Sequence, residues 1–261
     1  MKNFQLQAKI LSQTKIKDNY WHCELSAPQV AKNALPGQFI NIRVSDNFDP
    51  LLRRPISIYG VSGAKIKIFY EVVGKATEIL AQKKKGEFLD IVGPLGRGFS
   101  FNLRTQELKN LRTIIVAGGI GVAPLVFLAE KLKNTKPLVL IGARTKKEIL
   151  CAREFKALGC EVKIATDDGS RGFKGKVTDL LAYLLSAIDY RPLVIYSCGP
   201  RLMLKAVAQI AGEHKINAQL SLEEHMACGM GACLGCVVAA KSGYKTVCKD
   251  GPVFSSEELV W

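Results

Sequence analysis

Four cysteines close to the C-terminus have the spacing of a metal-ligand set. They follow the pattern C-x4-C-x2-C-x11-C and are Cys228, Cys233, Cys236 and Cys248. This is a spacing by which four thiolates hold a 2Fe-2S cluster. Glycine and alanine between the cysteines let the chain wrap closely and aim N–H groups at the sulfurs. The segment therefore predicts one-electron transfer chemistry.

Zinc and disulfides are the alternatives for these thiols. Structural zinc usually takes two short Cys-x2-Cys pairs, and only Cys233 and Cys236 form one. Disulfides need an oxidising compartment, and the first twenty residues do not have the pattern of an export signal. We therefore expect a cytoplasmic protein. The remaining cysteines lack metal-like spacing and are expected to be thiols: Cys23, Cys151, Cys160 and Cys198.

Composition and charge indicate a globular protein with anionic ligands. The 261 residues, 48% of them hydrophobic, suffice for two domains and a small module. The net charge of +14 raises nucleic acid as a partner. The cations are dispersed, with the densest run at residues 83–85, so nucleotides or an acidic protein are favoured instead. Residues 113–129 carry no charge, but glycines and Pro124 interrupt them. We predict no membrane span.

The chain divides into three regions by the period of its apolar residues. Apolar residues alternate over much of residues 1–101, which predicts a small antiparallel β barrel. Residues 102–219 alternate strand and helix patterns, which predicts a parallel sheet with helices on its faces. Helices are predicted at residues 123–133, 148–158, 177–187 and 201–213. Residues 220–261 form the cysteine module.

Two turns of the α/β region indicate a nucleotide site. Gly118, Gly119 and Gly121 lie where a strand ends and a helix begins, so a phosphate could approach the helix N-terminus. Cys198 and Gly199 follow a later strand of the same sheet. Ligands of open α/β sheets bind outside the carboxyl ends of the strands, so both turns point to one cleft. In the barrel, residues 74–77 open a short helix that suits a second phosphate.

The order of these motifs resembles that of a known family. Residues 54–57 (RPIS), 74–77, 93–96 (GPLG), 118–124 and 198–200 occur in the order seen in ferredoxin-NADP reductase-like flavoproteins. With the cysteine loop, the chain is similar to the electron-transfer subunits of NAD-dependent dihydroorotate dehydrogenase, type B. The resemblance covers essentially the whole chain. It implies an FAD-binding antiparallel barrel, a Rossmann-like NAD-binding domain and a C-terminal 2Fe-2S module.

The resemblance also implies roles for individual residues. Arg54 would neutralise the FAD pyrophosphate and Ser57 would contact the flavin ring, while Ala76 and Thr77 would donate to phosphates. Gly118, Gly119 and Gly121 would form the NAD turn, with Cys198 and Gly199 near the nicotinamide. The remaining expected cofactor residues are Pro55, Ile56, Phe69, Tyr70, Glu71, Gly74 and Pro124. The wider pattern has an aromatic residue where Ile56 stands, and an aliphatic side chain cannot stack in the same way.

The function implied is an electron relay in pyrimidine biosynthesis. The chain would pass electrons between NAD and a separate FMN-containing catalytic subunit, in a heterotetramer of two of each. None of its three histidines is paired with a candidate substrate site, so no catalytic acid–base residue is predicted. Asp167 and Asp168 favour NAD over NADP, because carboxylates repel a 2′-phosphate. The alternative is a reductase subunit of another NAD(P)H-linked system, serving a sulfide or ferredoxin pathway or an oxygenase.

Overall fold

The N-terminal region forms a closed six-stranded barrel in the order β1-β2-β5-β4-β3-β6. The computed structural model describes residues 2–101, 112–187 and 193–261. The barrel strands are β1 (Phe4–Lys17), β2 (Tyr20–Ser26), β3 (Phe39–Arg43), β4 (Arg54–Ser62), β5 (Lys65–Glu71) and β6 (Phe88–Leu95). Two helices accompany them, α1 (Pro28–Asn33) and α2 (Lys75–Gln82).

Alternation of side chains decides which face of each barrel strand is buried. Ile40 and Ile42 of β3 lie in the barrel core, so Phe39, Asn41 and Arg43 face outward. The outward face of β3 is nevertheless buried at Phe39 and Asn41. Phe39 packs in a cluster with residues of the cysteine module, including Cys248. The barrel wall is therefore also the support of that module.

The second region is a parallel sheet that the C-terminal segment completes. Its order is β10-β9-β8-β7-β11-β12-β15, and only β15 is antiparallel to its neighbour. The strands are β7 (Arg112–Gly118), β8 (Leu138–Ala143), β9 (Glu161–Thr166), β10 (Phe173–Lys174), β11 (Leu193–Cys198), β12 (Asn217–Ser221) and β15 (Val253–Ser255). The helices are α3 (Val122–Leu132), α4 (Ala152–Ala157), α5 (Val177–Ala187) and α6 (Arg201–Glu213). Both the predicted barrel and the predicted parallel sheet are confirmed.

One predicted helix is shorter than its apolar pattern suggests. The pattern predicts a helix at residues 148–158, but α4 begins at Ala152. The Thr145 side chain accepts a hydrogen bond from Lys147 N and caps a separate 3-10 turn at Lys146–Glu148. Cys151 then has φ 55°, a left-handed conformation that no helix can continue through. The side-chain cap and this residue together set the later start.

The cysteine module is a hairpin that returns to the nucleotide sheet. Strands β13 (Val237–Ala240) and β14 (Gly243–Thr246) pair antiparallel, and β15 then pairs with β12. Strand β12 runs across the expected boundary between residues 219 and 220. The boundary expected between residues 101 and 102 borders on residues 102–111, which lie outside the described residues. Both boundaries stay predictions.

Packing joins the regions. Phe127 of α3 belongs to the barrel's core cluster, and Phe69 of β5 packs among residues of the parallel sheet, including Ile115. No helix within the described ranges is long and apolar enough to cross a membrane.

Candidate cofactor sites

The four cysteines of the C-terminal module are arranged as two pairs. The Cys228 thiol contacts Cys233, and the Cys248 thiol contacts Cys236. In the part of the chain that is described, no three His, Cys, Asp or Glu side chains surround a single point. Structural zinc needs four donors around one ion, whereas a 2Fe-2S cluster takes its four thiolates as two per iron. The two cysteine pairs match the arrangement of a 2Fe-2S cluster, with two thiolates for each iron.

Backbone amides of the loop surround the cysteine sulfurs. The donors are Met230 N and Ala232 N to Cys228 at 3.4 and 3.3 Å, Gly231 N to Cys248 at 3.0 Å, and Gly235 N to Cys233 at 3.4 Å. Gly231 has φ 85°, and a Cβ on it would lie 2.6 Å from Cδ of Lys249. A larger residue there would push the amide away from Cys248. Amide donors stabilise thiolate charge, which a metal-bound cysteine carries.

The two pairs differ in exposure. Cys233 is exposed and Cys228 half-buried, whereas Cys236 and Cys248 are buried. Partial burial acts to raise the pKa of Cys228, but amide donors such as Met230 N outweigh it and lower the pKa to about 6. Burial, and then the neighbouring Cys236 thiol, raise the pKa of Cys248 to about 12. One pair thus faces solvent, and the other lies against the core.

The N-terminus of α2 combines a hydroxyl cap with a glycine that has open space beside it. Thr77 Oγ1 accepts from Val73 N at 3.0 Å and donates to Gly74 O at 2.9 Å, so this hydroxyl forms the helix cap. The first turn closes with Glu78 N donating to Gly74 O at 3.0 Å, which leaves the preceding amides without an intrahelical acceptor. A Cβ on Gly74 would meet nothing within 4 Å. The amides of Ala76 and Thr77 remain the predicted phosphate donors at this helix N-terminus.

The two adjacent arginines of the barrel have different partners. Arg53 Nη2 donates to Asp90 Oδ2 at 2.6 Å, forming an ion pair. Arg54 Nη1 donates to the carbonyl oxygens of Leu52 and Arg53, at 2.6 and 3.3 Å. No carboxylate of the described residues lies within ion-pair distance of Arg54. Arg54 is thus the arginine whose charge is left for an anionic ligand.

The other expected flavin residues lie on β4 and β5. In the register of β3 with β4, Asn41, Ile40 and Phe39 face Pro55, Ile56 and Ser57 respectively. Ile56 is half-buried against the barrel core. Strand β4 is therefore held at these three residues by its pairing with β3.

The side chains of β5 alternate between two environments. Phe69 stacks on Tyr20, with ring centroids 5.9 Å apart, and also contacts Tyr59. Tyr70 lies inside the barrel, where its hydroxyl accepts from Gln13 Nε2 at 3.2 Å. Burial raises the pKa of Tyr70. The Tyr70 side chain is thus used in the barrel core. The aromatic contacts of Phe69 with Tyr20 and Tyr59 were not predicted from the sequence.

The two nucleotide turns are in direct contact. Ala117 and Cys198 pair in register on the adjacent strands β7 and β11, so both turns leave the sheet at the same edge. A Cβ on Gly121 would lie 2.4 Å from Cys198 O, and one on Gly199 would lie 2.6 Å from Cε of Met203. Next to them Gly119 is open, with nothing within 4 Å of its ideal Cβ. Pro124 is buried in the first turn of α3. The two turns thus lie together at the carboxyl edge of the sheet, where the sequence predicts a nucleotide cleft.

Two residues of this cleft were missed in the sequence. Ser221 pairs in register with Cys198 and hydrogen-bonds to its thiol. Burial raises the pKa of Cys198 to about 12, so Cys198 keeps its proton at neutral pH. Glu223 as a whole residue is exposed. Burial of its carboxyl group, and then the charge of Glu71, nevertheless raise its pKa. Ser221 ends β12, the strand next to β11, and Glu223 follows two residues later. A residue at the carboxyl end of a neighbouring parallel strand is a candidate for the same site, and this rule could have identified both.

The acidic loop after β9 lies on the same edge of the sheet. Asp167 N and Asp168 N donate to the carbonyl oxygens of Ala143 and Arg144 at the end of β8. Hydrogen bonds from Ser170 lower the pKa of Asp168. Asp167 and Asp168 are both exposed. Two carboxylates therefore stand two strands away from the glycine turn.

Matches to family models cover two of the three regions. Residues 223–260 match the iron-sulfur cluster binding domain of dihydroorotate dehydrogenase B. Residues 115–209 match the oxidoreductase NAD-binding domain. The matched ranges contain the paired cysteines and both nucleotide turns.

Curated proteins similar to this chain share one name. The electron transfer subunit of dihydroorotate dehydrogenase B (NAD(+)) from Desulforamulus reducens is 44% identical, with 97% of each chain covered. The protein of the same name from Geobacillus kaustophilus is 40% identical, with 96% of each chain covered.

Solved structures share the fold. One, titled as the NADH-dependent reduced ferredoxin-NADP oxidoreductase, has a TM-score of 0.84 and 31% identity, covering 98% of this chain and 90% of its own. A ferredoxin NADP+ reductase from Neisseria gonorrhoeae with bound FAD and NADP has a TM-score of 0.66 over 80% of this chain and 91% of its own. That structure, at 16% identity, shows the fold alone. The chain belongs to the family of electron transfer subunits of dihydroorotate dehydrogenase B (NAD(+)).

Proposed function

We propose that this chain transfers electrons between NAD and the FMN-containing catalytic subunit of a dihydroorotate dehydrogenase, in pyrimidine biosynthesis. The observation that carries the proposal is the support of the cysteine loop by the barrel. Asn41 Nδ2 donates to Cys228 O at 3.3 Å, and Asn41 pairs in register with Pro55 on the expected flavin strand. Asn41 therefore connects the cluster ligand Cys228 to the strand that carries the expected flavin residues.

The binding residues are proposed from the contacts described above. Arg54 and the amides at the start of α2, with Gly74, Ala76 and Thr77, hold the FAD phosphates. Residues Pro55, Ile56 and Ser57 of β4 and Phe69, Tyr70 and Glu71 of β5 form the flavin side of the site. Gly118, Gly119, Gly121, Pro124, Cys198 and Gly199 form the NAD cleft. Cys228, Cys233, Cys236 and Cys248 hold the cluster. When bound, the flavin supplies hydride exchange with NAD and single-electron exchange with the 2Fe-2S cluster.

Protein groups around the nicotinamide cleft control charge. Cys198 stays a neutral thiol and hydrogen-bonds to Ser221, so it adds no negative charge beside the nicotinamide. Gly121, which has no Cβ, lets the two turns approach each other at the Cys198 carbonyl. Burial of the Glu223 carboxyl group, and then the charge of Glu71, raise its pKa and favour a proton on it. These residues position a nicotinamide and hold protons.

The partner is proposed to dock at the exposed cysteine pair. Cys233 is exposed, and its neighbours Met230 and Leu234 are apolar side chains with 54% and 61% of their surface exposed. Apolar surface of this kind beside a redox centre suits a protein interface. We propose a heterotetramer of two chains of each subunit, in line with the family resemblance. None of the eight cysteines is in a disulfide, and we propose a cytoplasmic location for the chain.

The experiment is a reconstitution. The purified chain should contain FAD and iron, and should pass electrons from NADH to an artificial acceptor. Zinc in place of iron, or a colourless protein, would contradict the proposal. Light scattering of the chain mixed with its FMN-containing partner tests the stoichiometry.

A second candidate is favoured by one observation. The structure of the NADH-dependent reduced ferredoxin-NADP oxidoreductase covers nearly the whole chain at 31% identity. Under this alternative the partner would be a ferredoxin-reducing subunit. Dihydroorotate-dependent NAD reduction with the FMN partner favours the first candidate. Ferredoxin-dependent turnover without any response to dihydroorotate favours the second.

A further inference from the structure

We propose that Asn41 is a positioning residue for electron transfer between the 2Fe-2S cluster and the flavin. Its side-chain amide fixes the cluster loop against the barrel and thereby sets the separation of the two redox groups. The inference rests on the proposed function. It adds a residue that contacts neither the reacting atoms nor NAD.

The contact between Asn41 and the loop is close and buried. Asn41 is 1% exposed, and its Nδ2 donates to the carbonyl oxygen of the ligand residue Cys228 at 3.3 Å. Gly229 follows with φ 73°, and a Cβ on it would lie 2.6 Å from Asn41 Nδ2. Only glycine combines this conformation with so close an approach. The loop backbone thus rests directly on the Asn41 amide.

The other side of Asn41 leads to the flavin strand. Asn41 faces outward from β3. Its neighbours on that face are Phe39, which is buried, and Arg43, which is exposed. Its backbone pairs with Pro55 of β4 and with Val92 of β6. Pro55 lies between Arg54 and Ile56, which are expected flavin residues. One residue therefore touches the cluster loop through its side chain and the flavin strand through its backbone pairing.

An unpaired atom argues that Asn41 does not serve stability alone. Its Oδ1 is buried and has no hydrogen-bond partner in the described ranges. An unsatisfied buried acceptor destabilises a fold, because it has lost its hydrogen bonds to water without gaining others. A leucine of similar size would avoid this penalty on an outward face that is already apolar at Phe39. The polar side chain is explained by the one bond that it does make, to Cys228 O.

The test replaces Asn41 by leucine in the full chain loaded with its cofactors. FAD and iron per chain should stay at wild-type levels, and flavin reduction by NADH should keep its rate. Freeze-quench EPR should show cluster reduction slowed on the order of tenfold or more, because small misplacements have large kinetic effects. The EPR g-values of the reduced cluster should also shift. Gly229→Ala, which presses on the same contact from the loop side, should have the same two effects.

Asn33→Leu is the matched control. Asn33 Nδ2 donates to Gln29 O at 2.7 Å on α1 and is exposed, so its loss should leave cluster reduction and EPR unchanged. Wild-type EPR and cluster-reduction rate in both Asn41→Leu and Gly229→Ala would overturn the inference. Absence of FAD or iron from the unsubstituted chain would instead defeat the proposed function, and the inference with it.

Discussion

Gly121 packs against the backbone carbonyl of Cys198 so closely that a single methyl group would not fit. An ideal Cβ on Gly121 would lie 2.4 Å from Cys198 O, 2.5 Å from Cys198 C and 2.6 Å from Gly199 N. All three neighbours are backbone atoms, which cannot swing aside as a flexible side chain would. The two nucleotide turns are thus fixed to each other by main-chain contact.

We expect Gly121→Ala to weaken NADH binding at least tenfold and to destabilise the fold by about 1–3 kcal/mol. The alanine methyl must push the β11 turn away from the start of α3. Gly212→Ala is the control, since Gly212 lies in α6 and an added Cβ meets nothing within 4 Å. Titration of NADH fluorescence and thermal unfolding measure both effects. Tight binding in Gly121→Ala would show that the turns need not touch.

Serine at each of Cys228, Cys233, Cys236 and Cys248 should remove the cluster and leave FAD in place. Thiolates are the soft ligands that iron-sulfur clusters require, and serine oxygen does not replace them. The cysteine pairs lie on the far side of β3 from the barrel core, so flavin content should not change. Iron analysis and the visible spectrum report the result. Cys160→Ser, at a thiol outside the module, should retain iron; full iron content in all four ligand variants would refute the assignment.

Asp167→Asn should reduce the preference for NADH over NADPH, by about tenfold in the ratio of kcat/KM values. Its carboxylate is exposed at the carboxyl edge of the sheet, where we expect it to repel a 2′-phosphate. The Asp168 side chain already accepts Ser170 N at 2.9 Å, so Asp168→Asn should have the smaller effect. Glu161→Gln, at the opposite end of the same strand, serves as the control. A preference of the unsubstituted chain for NADPH would contradict this role of Asp167.

His22 should make stability fall on the acid side. Burial, and then the charge of Lys67, lower the pKa of His22 in the folded chain, while Glu24 and Glu154 act weakly in the opposite direction. Folding therefore favours the neutral ring. Its contribution is fully present above the unfolded pKa of about 6.5 and is lost as the pH falls through the lower folded value. Urea unfolding across this range should be less pH-dependent for His22→Gln, and an identical pH profile in the two proteins would contradict the assignment.

Local patterns predicted most of the fold and named the candidate site residues, because the physical causes of such patterns are local. The cysteine spacing, the glycine turn before α3 and the alternation in the barrel strands each depend on a few neighbouring residues. The contact of Asn41 with Cys228 joins residues 187 positions apart, and no spacing rule reaches that far. The return of β15 to β12 depends likewise on tertiary packing of a three-residue strand. The late start of α4 follows from a side-chain cap at Thr145 that competes with a continuous apolar pattern.

We expect the partner to bind at the more exposed of the two cysteine pairs, Cys228 and Cys233. Leu234→Asp should weaken binding of the FMN-containing subunit, because it places a charge within an apolar contact surface. The isolated chain should keep its NADH-to-acceptor activity, since Leu234 is 61% exposed and lies apart from the NAD cleft. Ile16→Asp, at an apolar residue of β1 that is 54% exposed, is the control. Undiminished complex formation by Leu234→Asp, measured by light scattering, would place the interface elsewhere.

Anaerobic NADH formation from dihydroorotate and NAD is the measurement that tests the central claim most directly. The chain alone should form no NADH, and the FMN-containing subunit alone should reduce no NAD. Together they should produce NADH in proportion to the dihydroorotate consumed, and the Cys233→Ser chain should fail to support the reaction. NADH formation by the isolated chain, or its absence from the cofactor-loaded pair, would contradict the assignment of this chain as the electron transfer subunit.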